Sequence, residues 1–248
     1  MRLKIVLKKP KFKIPIAYNS ILQGAIYNMF DRTELGNFYH NEGYRNQEKV
    51  FKMFVFSNLF GKYEIVENNI CFENRFWFYL SALDERFIEE IYNFLTLNHF
   101  LIIHHQKVEI SEVNILNGPG IKQEDTIWLH TLSPVTAYST SQNKTTYYAP
   151  GDPLFEKYII QNIQNKSIAY QYPLDLMIFK IIQFQNVKER MVKFKDSHYL
   201  SYLFDMQVQI SRDVFILLYN AGLSSKNSCG FGMVDIKREK NNLFVSER

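Results

Sequence analysis

The turn Asn117-Gly-Pro-Gly120 is the clearest boundary signal in the chain and divides it into two halves of similar length. Before it, the apolar spacing predicts the element order β-α-β-β-α-β, which is the ferredoxin-like arrangement. After it, the same order recurs more loosely, with no repeat of the sequence itself. We therefore predict an α+β protein made of two tandem ferredoxin-like domains, at residues 1–118 and 121–248.

Local patterns place the elements within each half. The first strand alternates apolar residues with Arg2 and lysines, so Arg2 is expected on its polar side. Pro10 and Pro15 bracket a predicted loop, and Asn19 is a good N-cap for the first helix. The first half is predicted to hold strands over 2–8, 50–60, 63–72, 75–82 and 108–116, and helices over 19–31, 33–40 and 84–98. The second half is predicted to hold extended segments over 126–132, 135–139, 177–185, 187–195, 206–209 and 230–238, and helices over 154–165 and 212–221.

Composition limits the class of protein. The chain has 248 residues, of which 46% are apolar, which is enough for a core and excludes intrinsic disorder. Two cysteines argue against a disulfide scaffold. No run reaches the roughly 20 apolar residues that span a bilayer, and the basic N-terminus alternates with lysine instead of forming a signal-peptide core. We expect a cytoplasmic protein without membrane contact.

Charge is unevenly distributed along the chain. Residues 1–60 carry ten basic and four acidic groups, residues 61–179 carry eight and fourteen, and residues 180–248 carry eleven and seven. If the two basic ends meet in the fold, they form a positive face suited to a polyanion. Ordinary surface variation is the alternative interpretation.

The strongest local signal is AGLSSKNSCGFGMV at residues 221–234. Three glycines flank a polar tip there, and such loops can turn several N–H groups toward phosphate oxygens. Lys226 adds a positive charge. The alternative is a helix C-cap at Gly222 followed by an irregular turn.

This segment resembles the glycine-rich loop of the CRISPR-associated endoribonucleases that process repeat RNA. Their loop ends in Lys-Asn-Ser-x-Gly-Phe-Gly, matched here by residues 226–232. Segments 18–27, 51–57 and 132–135 resemble that family's first helix, following strand and mid-chain motif, in the same order. The resemblance spans nearly the whole chain and agrees with the predicted tandem ferredoxin-like fold.

The resemblance implies metal-independent cleavage of CRISPR repeat RNA in the precursor transcript, giving mature guide RNAs. The ribose 2′-hydroxyl would attack the adjacent phosphate and leave 2′,3′-cyclic phosphate and 5′-hydroxyl ends. It also implies that the loop binds RNA. The residues expected to do so are Gly222, Lys226, Asn227, Ser228, Gly230 and Gly232.

Such chemistry requires a base, an acid and a cation beside the pentacoordinate phosphate. Of six histidines, only His40 lies between the first helix and the Phe-Lys strand, where the family's catalytic histidine falls. The resemblance therefore implies His40 as base or acid, Tyr27 as a positioning hydroxyl and Lys52 as the stabilising cation. Lys49 is an alternative to Lys52. Tyr27 and Lys52 could equally be an ordinary surface tyrosine and a solvated strand lysine.

A second basic stretch, residues 187–195, is interrupted by apolar residues and predicts a strand or hairpin with a positive edge. Lys188 and Arg190 are expected to bind RNA there, and a solvated hairpin is the alternative. The sequence has no Cys-x-x-Cys, His-x-x-x-His, P-loop or dinucleotide motif, so we expect no metal and no cofactor.

The expected partner is CRISPR repeat RNA in the precursor transcript. Subunits of a CRISPR effector complex and a second copy of the chain are further partners that the sequence leaves open. Two other functions also stay open. One is a non-cleaving subunit that holds the guide RNA in an effector complex, and the other is a ferredoxin-like domain that binds a small effector.

Overall fold

The computed structural model describes residues 1–30, 33–142 and 144–237, and it contains two large β-sheets with helices packed against them. The first half contains β1 (Arg2–Lys8), β2 (Phe12–Pro15), α1 (Asn19–Tyr27), α2 (Glu34–Asn37), β3 (Tyr44–Asn46), β4 (Lys49–Phe51), β5 (Phe54–Phe56), β6 (Phe60–Val66), β7 (Asn69–Ala82), α3 (Glu85–Leu97), β8 (Phe100–Ile103) and β9 (Gln106–Leu116). The second half contains β10 (Glu124–Thr131), β11 (Ala137–Ser141), β12 (Lys144–Tyr148), α4 (Pro153–Tyr170), β13 (Phe179–Phe194), β14 (Ser197–Ser211), α5 (Arg212–Ala221) and β15 (Val234–Ile236).

The first sheet is built around β1. This strand pairs antiparallel with β7 on one side and with β9 on the other, and β6 pairs with β7 further out. Leu3, Ile5 and Leu7 alternate along β1 and are fully buried, as the period-two pattern predicts. Apolar residues of α1 and α3 complete this core. The main path of the unit is therefore β1-α1-β6-β7-α3-β9, with spatial order β9-β1-β7-β6.

The second sheet has the order β13-β14-β10-β15, with every pair antiparallel. Along the chain its path is β10-α4-β13-β14-α5-β15, which has the same strand order as the first unit. Val208 and Ile210 of β14 and Val214 and Leu218 of α5 are fully buried in its core. The predicted fold of two tandem ferredoxin-like units is confirmed. The domain boundary at residues 118–121 stays a prediction.

Arg2 connects the two units, contrary to the expectation that it faces outward. Its side chain is fully buried and donates hydrogen bonds to the carbonyl oxygens of Tyr219, at 2.7 Å, and Val234, at 2.9 Å. The guanidinium lies 3.5 Å from the centre of the Tyr219 ring and 3.3 Å from the Asp235 carboxylate. The β1 pattern was misleading because Arg2 faces the second unit, not water.

Several other local predictions for the first half were also wrong. The expected loop at 10–15 contains β2, which pairs with β7. Asn19 is the first helical residue and not the N-cap, which is Tyr18. The predicted helix 19–31 ends at Tyr27, and Asp31 lies outside the described residues. The expected strand 50–60 is interrupted at Met53, which has a left-handed φ of 48°.

Other boundaries moved where hairpins form. A turn at Glu67 lies inside the expected strand 63–72 and separates β6 from β7. The segments 177–185, 187–195 and 206–209 belong to one long hairpin, β13–β14, and β8 and β12 were not predicted. The final strand is shorter than expected, and Arg238 lies outside the described residues. In the described part of the chain, no helix is long and apolar enough to cross a membrane.

Candidate functional site

A cleft of about 760 Å³ lies between the two units. One side is formed by residues 49–54, which include the interruption between β4 and β5. The other sides are formed by β11, by one face of α4 and by the loop after α5, residues 222–232, which we call the glycine loop. The predicted catalytic residues lie at one edge of this cleft, and the predicted loop residues line it or pack behind it.

Tyr27 is the last residue of α1 and lies beside the cleft. Its ring contacts the His40 ring edge-on, with centroids 5.3 Å apart, and the Phe54 ring at 5.8 Å. Its hydroxyl makes a long hydrogen bond of 3.4 Å to the carbonyl oxygen of Tyr39. Burial, and secondarily the neighbouring Cys229, raises the pKa of Tyr27 well above its ordinary value. At neutral pH the side chain is therefore a hydrogen-bond donor.

His40 is exposed and lies in a π-helical turn, Phe38–Glu42, which ends at Gly43. Asn41 donates from Nδ2 to Asn37 Oδ1 at 2.6 Å, so its Oδ1 is left to face His40 Nδ1, 3.0 Å away. Nδ1 must then be the donor, and in the neutral imidazole Nε2 carries the lone pair. His40 thus presents a proton acceptor on Nε2.

Gly43 holds the turn that carries His40 against the next hairpin. It has a φ of 76°, and a Cβ at this position would lie 2.8 Å from the carbonyl oxygen of Phe51. Only glycine combines that backbone conformation with so close an approach.

Lys52 lies in the break between β4 and β5, which turns its side chain to the His40 backbone. Its Nζ donates to the His40 carbonyl oxygen at 3.2 Å. Burial and the nearby Arg45 lower the pKa of Lys52, and Glu42 partly offsets them. Lys49 also lines the cleft, on the side of Tyr158. Hydrogen bonds with Ser139 and Tyr148 lower the pKa of Tyr158, and the charges of Lys157 and Lys49 add to this effect. The structure therefore brings Tyr27, His40 and Lys52 together at one edge.

The three glycines of the glycine loop pack inside the protein. Gly222, Gly230 and Gly232 have φ values of 83°, 84° and 78°. A Cβ at Gly230 would lie 2.5 Å from the Phe56 ring, one at Gly222 would overlap the Asn227 amide, and one at Gly232 would overlap the Leu223 carbonyl. Their geometry is explained by close packing, and their contact with RNA stays a prediction.

Asn227 and Lys166 form a buried hub beneath the loop. Asn227 donates to the carbonyl oxygens of Leu223 and Phe231, both at 3.0 Å. Lys166, on α4, donates to Asn227 Oδ1 at 2.6 Å, to the Gly222 carbonyl at 2.6 Å and to the carbonyl oxygens of Ala221 and Ser224 at 3.2 and 3.1 Å. Burial lowers the pKa of Lys166 to about 7, while the oxygen acceptors favour its protonated form. The Asn227 amide is therefore used within the protein.

The polar face of α1 also holds the loop. Asn19 donates to the carbonyl oxygens of Cys229 and Gly230 at 3.0 and 3.3 Å, and Gln23 donates to that of Ser228 at 2.7 Å. Asn19, Gln23 and Tyr27 are spaced at four-residue intervals, so they share one helix face. Asn19 and Gln23 on this face therefore hold the glycine loop in place, and Tyr27, one turn further on, carries its hydroxyl on the same face.

Lys226 is the exposed cation of the loop. Its ammonium lies 5.5 Å from the centre of the Tyr199 ring. Burial opposes its charge, but the phenols of Tyr138 and Tyr199 and the thiol of Cys229 raise the pKa of Lys226 above its ordinary value. Tyr138, Tyr147 and Tyr199 lie close together, with ring centroids 5.7 and 6.4 Å apart. A cation beside several aromatic rings is a common surface for single-stranded nucleic acid.

Lys188 and Arg190 lie on β13, the edge strand of the second sheet, and are exposed. They pair with Leu203 and Ser201 of β14, and the Arg190 guanidinium donates to the carbonyl oxygen of Glu189. The cleft lining is formed by other segments, so these two residues extend the basic surface away from it. Their predicted RNA contact stays a prediction.

Sequence reasoning missed Lys166, although the sequence holds a signal for it. Phe155, Ile159, Ile163 and Lys166 follow helical spacing, and the first three form the buried stripe of α4. A lysine at a core position must find acceptors, and the glycine loop supplies them. Within residues 1–30, 33–142 and 144–237, no cluster of histidine, cysteine or acidic side chains is arranged to hold a metal ion.

Comparison with known proteins finds similar sequences and structures. Residues 116–236 match the family model "CRISPR associated protein Cas6, C-terminal". The chain is 23% identical over 245 residues to the CRISPR-associated endoribonuclease Cas6 of Pyrococcus furiosus, covering 94% of this chain and 87% of that protein. It is 26% identical over 252 residues to the CRISPR-associated endoribonuclease Cas6 1 of Methanocaldococcus jannaschii, covering 97% and 94%. The second unit of the chain belongs to the Cas6 C-terminal family.

The fold is shared with solved structures over nearly the whole chain. One, described as "An RAMP protein binding different RNA substrates", superposes with a TM-score of 0.76 at 18% identity, covering 96% of this chain and 100% of that one. The Cas6 family model begins in the last residue of β9 and covers the second unit. Tyr27, His40 and Lys52 lie before it, within the span of both full-length relatives.

Proposed function

We propose that this protein is a Cas6 endoribonuclease that cleaves CRISPR repeat RNA in the precursor transcript to give mature guide RNAs. The observation that carries the proposal is the meeting of Tyr27, His40 and Lys52 at one edge of the cleft. Both full-length relatives are endoribonucleases by name, and the similar solved structure is described as binding RNA.

His40 is the general base of the proposed reaction. Its Nε2 takes the proton of a ribose 2′-hydroxyl, and the 2′-oxygen then bonds to the adjacent phosphorus. Support comes from the Asn41 contact, which keeps the proton of the neutral imidazole on Nδ1. Exposure of His40 allows the RNA backbone to reach it.

Lys52 and Tyr27 act on the same phosphate. The Lys52 ammonium stabilises the pentacoordinate dianion, and the Tyr27 hydroxyl can exchange its 3.4 Å bond to Tyr39 for a phosphate or ribose oxygen. The bond from phosphorus to the 5′-oxygen then breaks, and this oxygen takes a proton from the water that reaches the open site. The products are a 2′,3′-cyclic phosphate and a 5′-hydroxyl. We propose no metal in this step, because the RNA supplies the nucleophile and Lys52 the positive charge.

RNA binding is assigned to the surface around the site. Lys226 and Ser228 of the glycine loop line the cleft, and Lys188 and Arg190 add positive charge along β13. Gly222, Asn227, Gly230 and Gly232 contribute by fixing the shape of the loop. Because phosphates are held by lysine and arginine, affinity should fall steeply with salt.

The test uses end-labelled repeat RNA from the host, with and without EDTA, and a series of RNAs that each carry one 2′-deoxy substitution. We expect a single cut at an unchanged rate in EDTA, abolished by one deoxy substitution at the nucleotide 5′ of the scissile phosphate. The upstream fragment should end in a cyclic phosphate that acid opens.

Three results would contradict the proposal. Loss of cleavage in EDTA would point to a metal-dependent reaction. Tight binding of repeat RNA without a cut would favour the guide-holding subunit. Negligible affinity for RNA at moderate salt would exclude both the endoribonuclease and the guide-holding subunit. Tight binding of a small ligand instead of RNA would then favour the small-effector domain.

A further inference from the structure

One wall of the cleft is polar but uncharged. Tyr158, Gln161, Asn162 and Asn165 follow helical spacing on α4, and all four line the cleft. The lysine that follows them, Lys166, is buried and bound to the glycine loop. Lys166 also borders the cleft, but its ammonium is taken up by its hydrogen bonds to that loop, so the lysines left for a ligand are Lys49, Lys52 and Lys226 of other segments.

Asn162 differs from its neighbour Asn165 in one respect. Asn165 Oδ1 accepts a hydrogen bond from Asn46 Nδ2 at 2.8 Å. Asn162 Oδ1 is buried and has no hydrogen-bond partner among residues 1–30, 33–142 and 144–237. An unpaired buried acceptor is unfavourable. Rotation of the carboxamide into the cleft would end that penalty if a donor were present there.

The chemistry of the wall selects the part of an RNA that binds to it. Phosphates go to the lysines, because a neutral carboxamide gains little from a negative charge. A carboxamide pairs with a base edge that offers a donor beside an acceptor. Adenine offers that pair through its N6 amino group with N7 or with N1, and it is the usual partner of an asparagine carboxamide. Guanine offers a donor beside an acceptor through N1–H with O6 or its N2 amino group with N3, and cytosine and uracil each offer one such edge.

We propose that Asn162 reads an adenine of the bound RNA in this cleft. The inference rests on the proposed function only in taking RNA as the ligand, since it concerns binding and not cleavage. Asn162 Oδ1 accepts from the N6 amino group, and its Nδ2 donates to the adjacent ring nitrogen. The α4 wall then selects the base that lies beside the cut, while Lys49 and Lys52 hold the backbone without regard to sequence.

The experiment measures the dissociation constant of repeat RNA and of a series in which one base at a time is removed. In the wild-type protein we expect one position near the cut whose loss weakens binding by about tenfold. In Asn162→Ala the same base removal should cost less than about twofold, because the partner is already absent. Gln164→Ala, an exposed amide on another face of α4, is the matched control and should keep the wild-type profile.

A second measurement needs no variant. Replacing the adenine at that position by purine, which lacks the N6 amino group, should weaken wild-type binding as much as removing the base. A sensitive position that carries another base, or a base-removal profile that is the same in Asn162→Ala and wild type, would overturn the inference. Base-dependent binding without cleavage would overturn the proposed function and leave this inference standing.

Discussion

The corner formed by Tyr27, His40 and Lys52 and the glycine loop lie on the same cleft but use their polar groups differently. In the corner, and among the residues that the structure describes, Tyr27 and Lys52 make one hydrogen bond each, of 3.4 and 3.2 Å, and His40 has a partner on Nδ1 only. In the loop, Asn227 and Lys166 are buried and fully engaged by each other and by backbone carbonyls. Groups that are free to change partners can act on a substrate, whereas groups already engaged determine shape.

The largest effect should come from His40→Ala. Removing the base should slow single-turnover cleavage of repeat RNA by about a thousandfold, while the dissociation constant changes less than about twofold. The matched control is His99→Ala, an exposed histidine just after α3. If cleavage survives in His40→Ala, the corner has no catalytic role and the comparison fails.

Lys166→Met tests the other side of the comparison. It leaves Asn227 and three carbonyls without their donor, so we expect the free energy of unfolding to fall by about 3 kcal/mol. Chemical denaturation measures this directly. Lys157→Met, an exposed lysine on the same helix, should change it by less than about 0.5 kcal/mol.

The Lys166 variant also separates shape from chemistry. If the loop serves mainly to shape the binding surface, RNA affinity should fall while cleavage at saturating RNA is largely kept. A normal affinity in a destabilised Lys166→Met protein would show that RNA binding does not need the loop held in this conformation.

Lys49 and Lys52 allow a comparison within one segment of the cleft, between a lysine expected to act in catalysis and one expected to act in binding. Lys52→Ala should lower the cleavage rate about a hundredfold, because Lys52 contacts the backbone of His40. Lys49→Ala should lower it less than about tenfold and act mainly on affinity, because Lys49 lies toward Tyr158. Single-turnover rates at saturating RNA distinguish the two, and the reverse order would assign the cation role to Lys49.

The sequence predicted the elements whose signals are local. Helix α5 was placed correctly at Arg212–Ala221, and α3 begins after Asp84, whose side chain caps it. The β-α-β-β-α-β order followed from periodicity alone. The grouping of His40 with Tyr27 and Lys52 came from the family resemblance, since no local pattern connects positions so far apart.

The failures occur where one unit meets the other. Met53 breaks the expected strand because it packs in the core of the second unit, whereas Phe54 and Phe56 pack in the first. Arg2 and Asn19 follow ordinary local rules for a strand and a cap, but their partners lie more than 200 residues away. Contacts between residues so far apart in the chain produce no periodic pattern in the sequence.

The burial of Arg2 between the units has a thermodynamic consequence for any ligand of the cleft. Arg2 joins β1 to α5 and β15, Asn19 and Gln23 join α1 to the glycine loop, and Asn46 joins β3 to α4. The units are therefore held together at several separate places. Separating them would strip a buried guanidinium of its acceptors, which is costly. The cleft therefore keeps its width, and the ligand must lose conformational entropy when it binds. Affinity should then depend on how far the free RNA already adopts its bound shape.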